Sequence, residues 1–241
     1  MSFIGTVEDW RDLVTAQAGD VPVEYLLAWI LRESNGSPCS WVTKTQEAGI
    51  FQLMPPDNIA QGGTTLAAMH PVPPCTAGVQ TSKWFSDLTD AQANEQVRAG
   101  IQYVNYARSR VHQLLVQYGG QDWDENQDFW TMVKMYHNLP GVIPPGLTAA
   151  QSALGAPVQT WADFRQYAGS YNKWLNYAEW IGAYAANGPT IQQQVASEID
   201  DLTDPVSTPP PPPPSLWMLG LVAGLGALFG AWFSIKRRRK V

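Results

Sequence analysis

Twenty consecutive positions without a charge, 216–235 (LWMLGLVAGLGALFGAWFSI), constrain this chain more than any other stretch. As a helix the run would span about 30 Å at about 1.5 Å per residue, the thickness of a bilayer's hydrocarbon core. Trp217 and Trp232 stand near its ends, where indole rings favour the membrane interface, and Lys236, Arg237, Arg238, Arg239 and Lys240 follow at once. Residues 216–235 are therefore expected to form one transmembrane helix and 236–241 a basic tail. Gly220 with Gly224, and Gly226 with Gly230, have the GxxxG spacing that lets two helices approach closely, which leaves self-association open.

Upstream of this run lie six consecutive prolines, Pro209 to Pro214, a stiff polyproline II spacer of roughly 19 Å. A polar stretch with an acidic cluster (Glu198, Asp200, Asp201 and Asp204) precedes them, so 187–215 reads as a linker. That leaves 1–186 as the main domain, long enough to build its own core. The formal charge of -6 is uneven: five of the 15 basic side chains sit in the tail, leaving ten basic against 21 acidic ones before it. So acidic a body is a poor surface for phosphates, and no nucleic-acid binding is expected of the main domain. Cys39 and Cys75 form no CxxC pair, and His70, His112 and His137 have no HExxH spacing, so no metal and no cofactor are expected. Whether the two cysteines pair stays open.

Apolar helical periodicity alternates with Pro- and Gly-rich loops from Val21 to about Tyr184, with no sustained period-2 pattern, so the domain is expected to be all-α. The pattern predicts helices at about 21–35, 91–118, 126–138 and 172–186, a shorter one at 3–17, and weaker segments near 55–60 and 160–167. Residues 61–82 hold too much Gly, Pro and Thr for a long element and read as a loop. Residues 1–20 lack a basic segment followed by an apolar run, so no cleaved signal is expected. Eleven Trp and nine Tyr supply rings that serve either as core or as surfaces on which sugars stack.

The helix at 21–35 carries the first candidate for chemistry. Asp20 is placed to cap it, Pro22 fits its first turn, and Asn35-Gly36 supplies the stop. Its apolar stripe runs through Val23, Leu26, Leu27, Ile30 and Leu31. Glu33 follows Ile30 by three residues and Trp29 by four, so it projects from the face that should be buried. An apolar surround and the negative end of the helix dipole both favour a neutral carboxylic acid, the form that can protonate a glycosidic oxygen.

Glu33-Ser34 is followed by Gly49-Ile50-Phe51-Gln52-Leu53-Met54-Pro55, then by Gln96-Val97-Arg98-Ala99-Gly100-Ile101-Gln102-Tyr103-Val104, then by Met135-Tyr136-His137-Asn138. In these four segments, over about 20–145, the chain resembles the soluble lytic transglycosylase family, which is goose-lysozyme-like. That family's signature is Glu-Ser, Gly-x-x-Gln-x-Met-Pro, Asn-Ile-x-x-Gly-x-x-Tyr-Leu and Ala-Tyr-Asn. The last segment departs from it, because His137 occupies the asparagine position unless Asn138 takes it.

The resemblance implies a lysozyme-like, all-α domain that binds peptidoglycan glycan strands and cleaves the MurNAc-GlcNAc β-1,4 bond. Glu33 would be the general acid and then the base, with Ser34 and Gln52 hydrogen-bonding near the scissile sugar and Tyr136 orienting Glu33. Met54 and Phe51 would shape an apolar wall, with a plain core role for Phe51 equally open, and His137 or Asn138 would touch the sugar. One carboxylate suffices in such enzymes because the N-acetyl group assists departure and the sugar's own 6-hydroxyl attacks, giving a 1,6-anhydro product. Were the reaction hydrolysis by a muramidase, Glu47 would be the candidate second carboxylate. Loss of activity in a peptidoglycan-binding membrane protein is the third reading. The basic tail places the C-terminal end on the cytoplasmic side and the domain outside. Nothing before 215 reads as an export element, which suggests a phage virion membrane, with a bacterial inner membrane facing the periplasm as the alternative.

Overall fold

Local signals in the chain and burial together decide where each helix starts and stops in the computed structural model, which describes residues 7–42, 47–53 and 85–185. The chain divides into two units, Met1–Glu198 and Ile199–Val241, and the second lies wholly outside the described residues. So do the segment 55–60, the loop 61–82, Met54, Cys75, the linker 187–215, the apolar run 216–235 and the basic tail. Among the described residues, no helix is long and apolar enough to cross a membrane.

Helix α1 is Arg11–Gln17 and α2 is Val23–Ser34. Pro22, not Asp20, is the N-cap of α2, and no side chain caps it. Asn35 ends α2 in the left-handed region at φ 51°, a conformation that asparagine tolerates better than most residues. Arg11 reaches Glu24 at 2.6 Å and joins α1 to α2, and Trp10 Nε1 donates to Gly36 O at 2.9 Å, pinning the turn after α2. Strands β1 (Trp41–Val42) and β2 (Glu47–Ala48) then pair antiparallel, Trp41 opposite Ala48 and Val42 opposite Glu47. Two residues per strand are too few to leave a period-2 signature in sequence.

The long helix α3 (Asp90–Leu114) opens with a capping box between Thr89 and Gln92 and runs on as a π turn, Leu115–Gly119, until Gly120 turns left-handed at φ 85°. Helix α4 (Gln127–Asn138) is capped by the Asn126 side chain, which accepts from the amides of Asp128 and Phe129. Helix α5 (Ile143–Leu154) did not stand out in the sequence because Pro144, Pro145 and Gly146 read as breakers. Both prolines sit in its first turn, where the missing N–H groups have no intrahelical partner to lose. Helices α6 (Trp161–Arg165) and α7 (Asn172–Gly182) complete the described chain. With 67% of the described residues helical, the domain is mostly α.

Helix α4 lies against both α3 and α7. Phe129, Trp130, Met132, Val133 and Met135 on it are all buried, as are Trp29 and Ile30 on α2. The closest approach of α7 to α4 depends on Gly182: a Cβ there would sit 1.9 Å from Thr131 Oγ1 and 2.9 Å from its Cα. Because the backbone atom cannot swing aside, Gly182→Ala forces the two helices apart. We expect it to destabilise by about 1–3 kcal/mol, read as a lower urea midpoint with an unchanged slope.

Candidate active site

The last turn of α2 delivers Glu33 to the edge of the core. Leu26, Leu27, Trp29 and Ile30 before it are fully buried, while the Glu33 side chain keeps 15% of its exposure. Across from it, α4 presents Lys134, whose side chain has no exposure at all. Its Nζ donates a short hydrogen bond to Glu33 Oε1. One turn further along α4, His137 Nε2 lies 3.8 Å from the same oxygen. Helix α7 supplies Tyr177, whose phenol is near enough to Glu33 to feel its carboxylate.

The surround of Glu33 is thus not the purely apolar one expected, because a cation shares it. The ammonium of Lys134 sits 3.9 Å from the centroid of the Trp29 ring and 5.4 Å from that of Tyr177, where the negative ring faces attract it. Burial nonetheless pushes Lys134 down to about 8, against the pull of Glu33 and of Glu47 on β2. His137 is held well below the usual histidine range by burial and by the Lys134 charge, so it is neutral at pH 7. Burial and the adjacent Glu33 carboxylate push the Tyr177 phenol up. The His137 ring meets Trp29 at 4.9 Å and Tyr103 at 5.3 Å, and its Nδ1 is buried with no hydrogen-bond partner.

The second sequence segment is fastened to this helix end by buried polar groups. Ser34 Oγ lies 3.0 Å from both Ile30 O and Ile50 O and accepts from the Gly36 amide at 3.2 Å. Gln96 on α3 accepts from Ile50 N and donates to Pro38 O, both at 3.2 Å. The Phe51 ring lies on Gly100, where an added Cβ would come within 1.9 Å of it, so only glycine lets the ring seat on α3. Gln52 takes a left-handed φ of 49° and donates through Nε2 to Gly49 O at 2.7 Å and Ser40 O at 3.2 Å. Cys39, in the same region, is disulfide-bonded, and the chain's other cysteine is Cys75.

Of the residues singled out in sequence, Glu33 and His137 come together. Ser34 and Gln52 are buried, Ser34 Oγ against the carbonyls of Ile30 and Ile50 and Gln52 Nε2 donating to those of Gly49 and Ser40, with Gln52 Oε1 left unpartnered. Tyr136 is half-buried and turned to α3, its ring 6.3 Å from that of Tyr106, with burial raising its phenol. The tyrosine at Glu33 is Tyr177. Asn138 Nδ2 is buried without a hydrogen-bond partner, and Phe51 is core. Lys134 and Tyr177 were missed. A lone lysine inside Phe129-Trp130-Thr131-Met132-Val133-Lys134-Met135-Tyr136, three residues before His137, was the signal for the first. Among the described residues, no group of three or more His, Cys, Asp or Glu side chains is placed to hold a metal ion.

No family model, curated protein or solved structure matches this chain.

The depressed lysine makes stability depend on pH with a definite sign. Between about 8 and the ordinary 10.5, the folded chain has released a proton that the unfolded chain still binds. The contribution of Lys134 to stability therefore rises with pH across that window, and its cost is fully present below it. Lys134→Met removes this dependence. The melting temperature of the wild type minus that of the variant is expected to increase from pH 8 to pH 10, and a constant difference would contradict the assignment.

Proposed function

We propose that this domain cleaves the glycan strands of peptidoglycan as a lytic transglycosylase, with Glu33 as its single acid and base. The observation that carries the reading is the seat of Glu33: a carboxylate at the end of an apolar helix stripe, mostly buried, ringed by Lys134, His137 and Tyr177, yet still open to solvent. A lysozyme-like arrangement accounts for why the sequence segments that suggested it are pinned to one another through Ser34, Gln96 and the Phe51–Gly100 contact. In this reading Glu33 protonates the glycosidic oxygen as the C1–O bond breaks, and the N-acetyl group assists. Glu33 then takes the proton of the sugar's 6-hydroxyl as that oxygen closes the 1,6-anhydro ring.

One observation favours a second reading, hydrolysis by a muramidase. Glu47 on the hairpin is close enough for its charge to be felt at Lys134 and Tyr177, which offers a second carboxylate on the same cluster. Glu33→Gln, assayed on purified sacculi, is expected to lose roughly 100-fold or more of the clearing rate. Undiminished clearing would end the enzymatic role of Glu33 and leave a peptidoglycan-binding protein. Mass spectrometry of the released muropeptides separates the two chemistries: anhydro products fit the transglycosylase, and products carrying an added water fit the muramidase.

The run 216–235, flanked by prolines and the basic tail, supports a single-pass C-terminal anchor that keeps the enzyme at a membrane, that of a phage virion or the inner membrane of a bacterium. The full chain is expected to float with lipid vesicles in a density gradient. Recovery in the lipid-free fractions would sink the anchor.

A further inference from the structure

Among the described residues the pair formed by Lys134 and Glu33 meets solvent through the glutamate, since the lysine side chain is wholly buried and the glutamate keeps 15% exposure. Water at that opening helps to stabilise the charged form of the pair, alongside the Trp29 and Tyr177 ring faces at the ammonium and the uncharged Tyr177 and His137 side chains near the carboxylate. A glycan covering Glu33 removes the water. Two charges in a dry site lose far more solvation than a neutral acid beside a neutral amine, and a buried ionisable group responds by shedding its charge.

We infer that Lys134 is a positioning residue that stores the proton of Glu33: at rest the proton sits on Lys134 Nζ, and when substrate displaces water it moves to Glu33 Oε1. This rests on the reading of Glu33 as the acid of glycan cleavage. The proton leaves Nζ along the existing hydrogen bond, giving a neutral amine and a neutral carboxylic acid. Glu33 passes it to the glycosidic oxygen, which keeps the electron pair of the broken C1–O bond. The 6-hydroxyl oxygen bonds to C1, its proton goes to Glu33, and on product release that proton returns to Lys134. No water is consumed.

The groups facing the pair fit such a store. From α2, Arg32 is drawn away, its guanidinium 4.5 Å from the Trp180 ring and 5.6 Å from that of Tyr177. From α4, His137 is neutral and adds no charge at 3.8 Å. From α7, the uncharged Tyr177 phenol lies near the carboxylate, and from β2, Glu47 favours the proton on Lys134 at rest. From α3, Tyr103 reaches His137 with its ring at 5.3 Å. Burial brings Lys134 down to about 8, so it can give up a proton near neutral pH, which an arginine cannot.

The test is the pH profile of kcat/KM on sacculi, measured with the full chain in detergent for the wild type, Lys134→Arg, Lys134→Met and Glu33→Gln. The wild type is expected to lose activity as pH rises through about 8, where the pair gives up its stored proton. Lys134→Arg keeps the charge but cannot release it, and is expected to be roughly 100-fold slower at every pH. Lys134→Met is expected to stay active in acid, with its alkaline fall moved down by about one pH unit or more. A Lys134→Arg variant within about threefold of wild type, or a Lys134→Met profile that coincides with the wild type, would overturn the proton store. So would a wild-type profile flat to beyond pH 9, a measurement that needs no variant to fold. Full activity in Glu33→Gln would instead overturn the glycan-cleaving role of Glu33, whatever the lysine variants do.

Discussion

Everything around the candidate site depends on one contact, the ammonium of Lys134 against the carboxylate of Glu33. A lysine with no exposure has no water to turn to, so the fold has to bring it a charge, ring faces, or both. It brings both: α2 contributes Glu33 and Trp29, and α7 contributes Tyr177. This requirement sets the rotation of α4, since a turn about its axis would carry Lys134 away from the Glu33 carboxylate, its hydrogen-bonded counter-charge among the described residues. The Tyr25 hydroxyl, donating to the Trp130 carbonyl at 3.1 Å one turn earlier on α4, fixes the same register along the axis. The close approach of α7 at Gly182 accompanies this, bringing the Tyr177 ring to within 5.4 Å of the ammonium.

A second level of organisation holds the described segments on either side of the hairpin, around Pro38 and Ile50, to the end of α2 and to α3. Gln96 is a side chain doing a backbone's work: it accepts one amide and donates to one carbonyl, in a place where neither has a strand or helix partner. Ser34, the residue next to Glu33, joins the helix end to Ile50. Phe51 on Gly100 adds the apolar part. Glu33 therefore sits at a helix end that Ser34 and Gly36 tie to Ile50 and Trp10, as a group needs to be held if it is to act on a bound substrate without reorganising.

Much of this was legible in the sequence, and the failures have physical reasons. Glu33 stood out because a charge on the apolar face of α2 violates the pattern of the stripe around it. The positions of α2, α3, α4 and α7 followed from periodicity to within a few residues, and the stop at Asn35 from its tolerance of left-handed backbone. Helix α5 was hidden because Pro144 and Pro145 break a helix in its interior and are harmless in its first turn, a distinction of register rather than composition. The hairpin was too short to show. Lys134 was overlooked because a lysine in a helix ordinarily marks the solvent face, and only the partners brought by tertiary packing make a buried one tolerable. Tyr177 had no signal at all, being one ring among nine tyrosines. Gln96 was visible as part of a motif, but its work of joining two loops was not, because its partners are backbone atoms far away in the chain.

The clasp of Tyr177 has a consequence in time. Arg32 and Glu33, adjacent in the chain, both act on that one residue, the first at its ring and the second through its charge. A ribosome makes the carboxylate early and its tyrosine much later. At about 5–20 residues per second, the interval between them is about 7–30 seconds. Throughout it the nascent chain carries Glu33 without Tyr177 and, for most of that time, without Lys134. The site is therefore closed by the last helix described, so that a chain released before α7 would carry the acid without its setting.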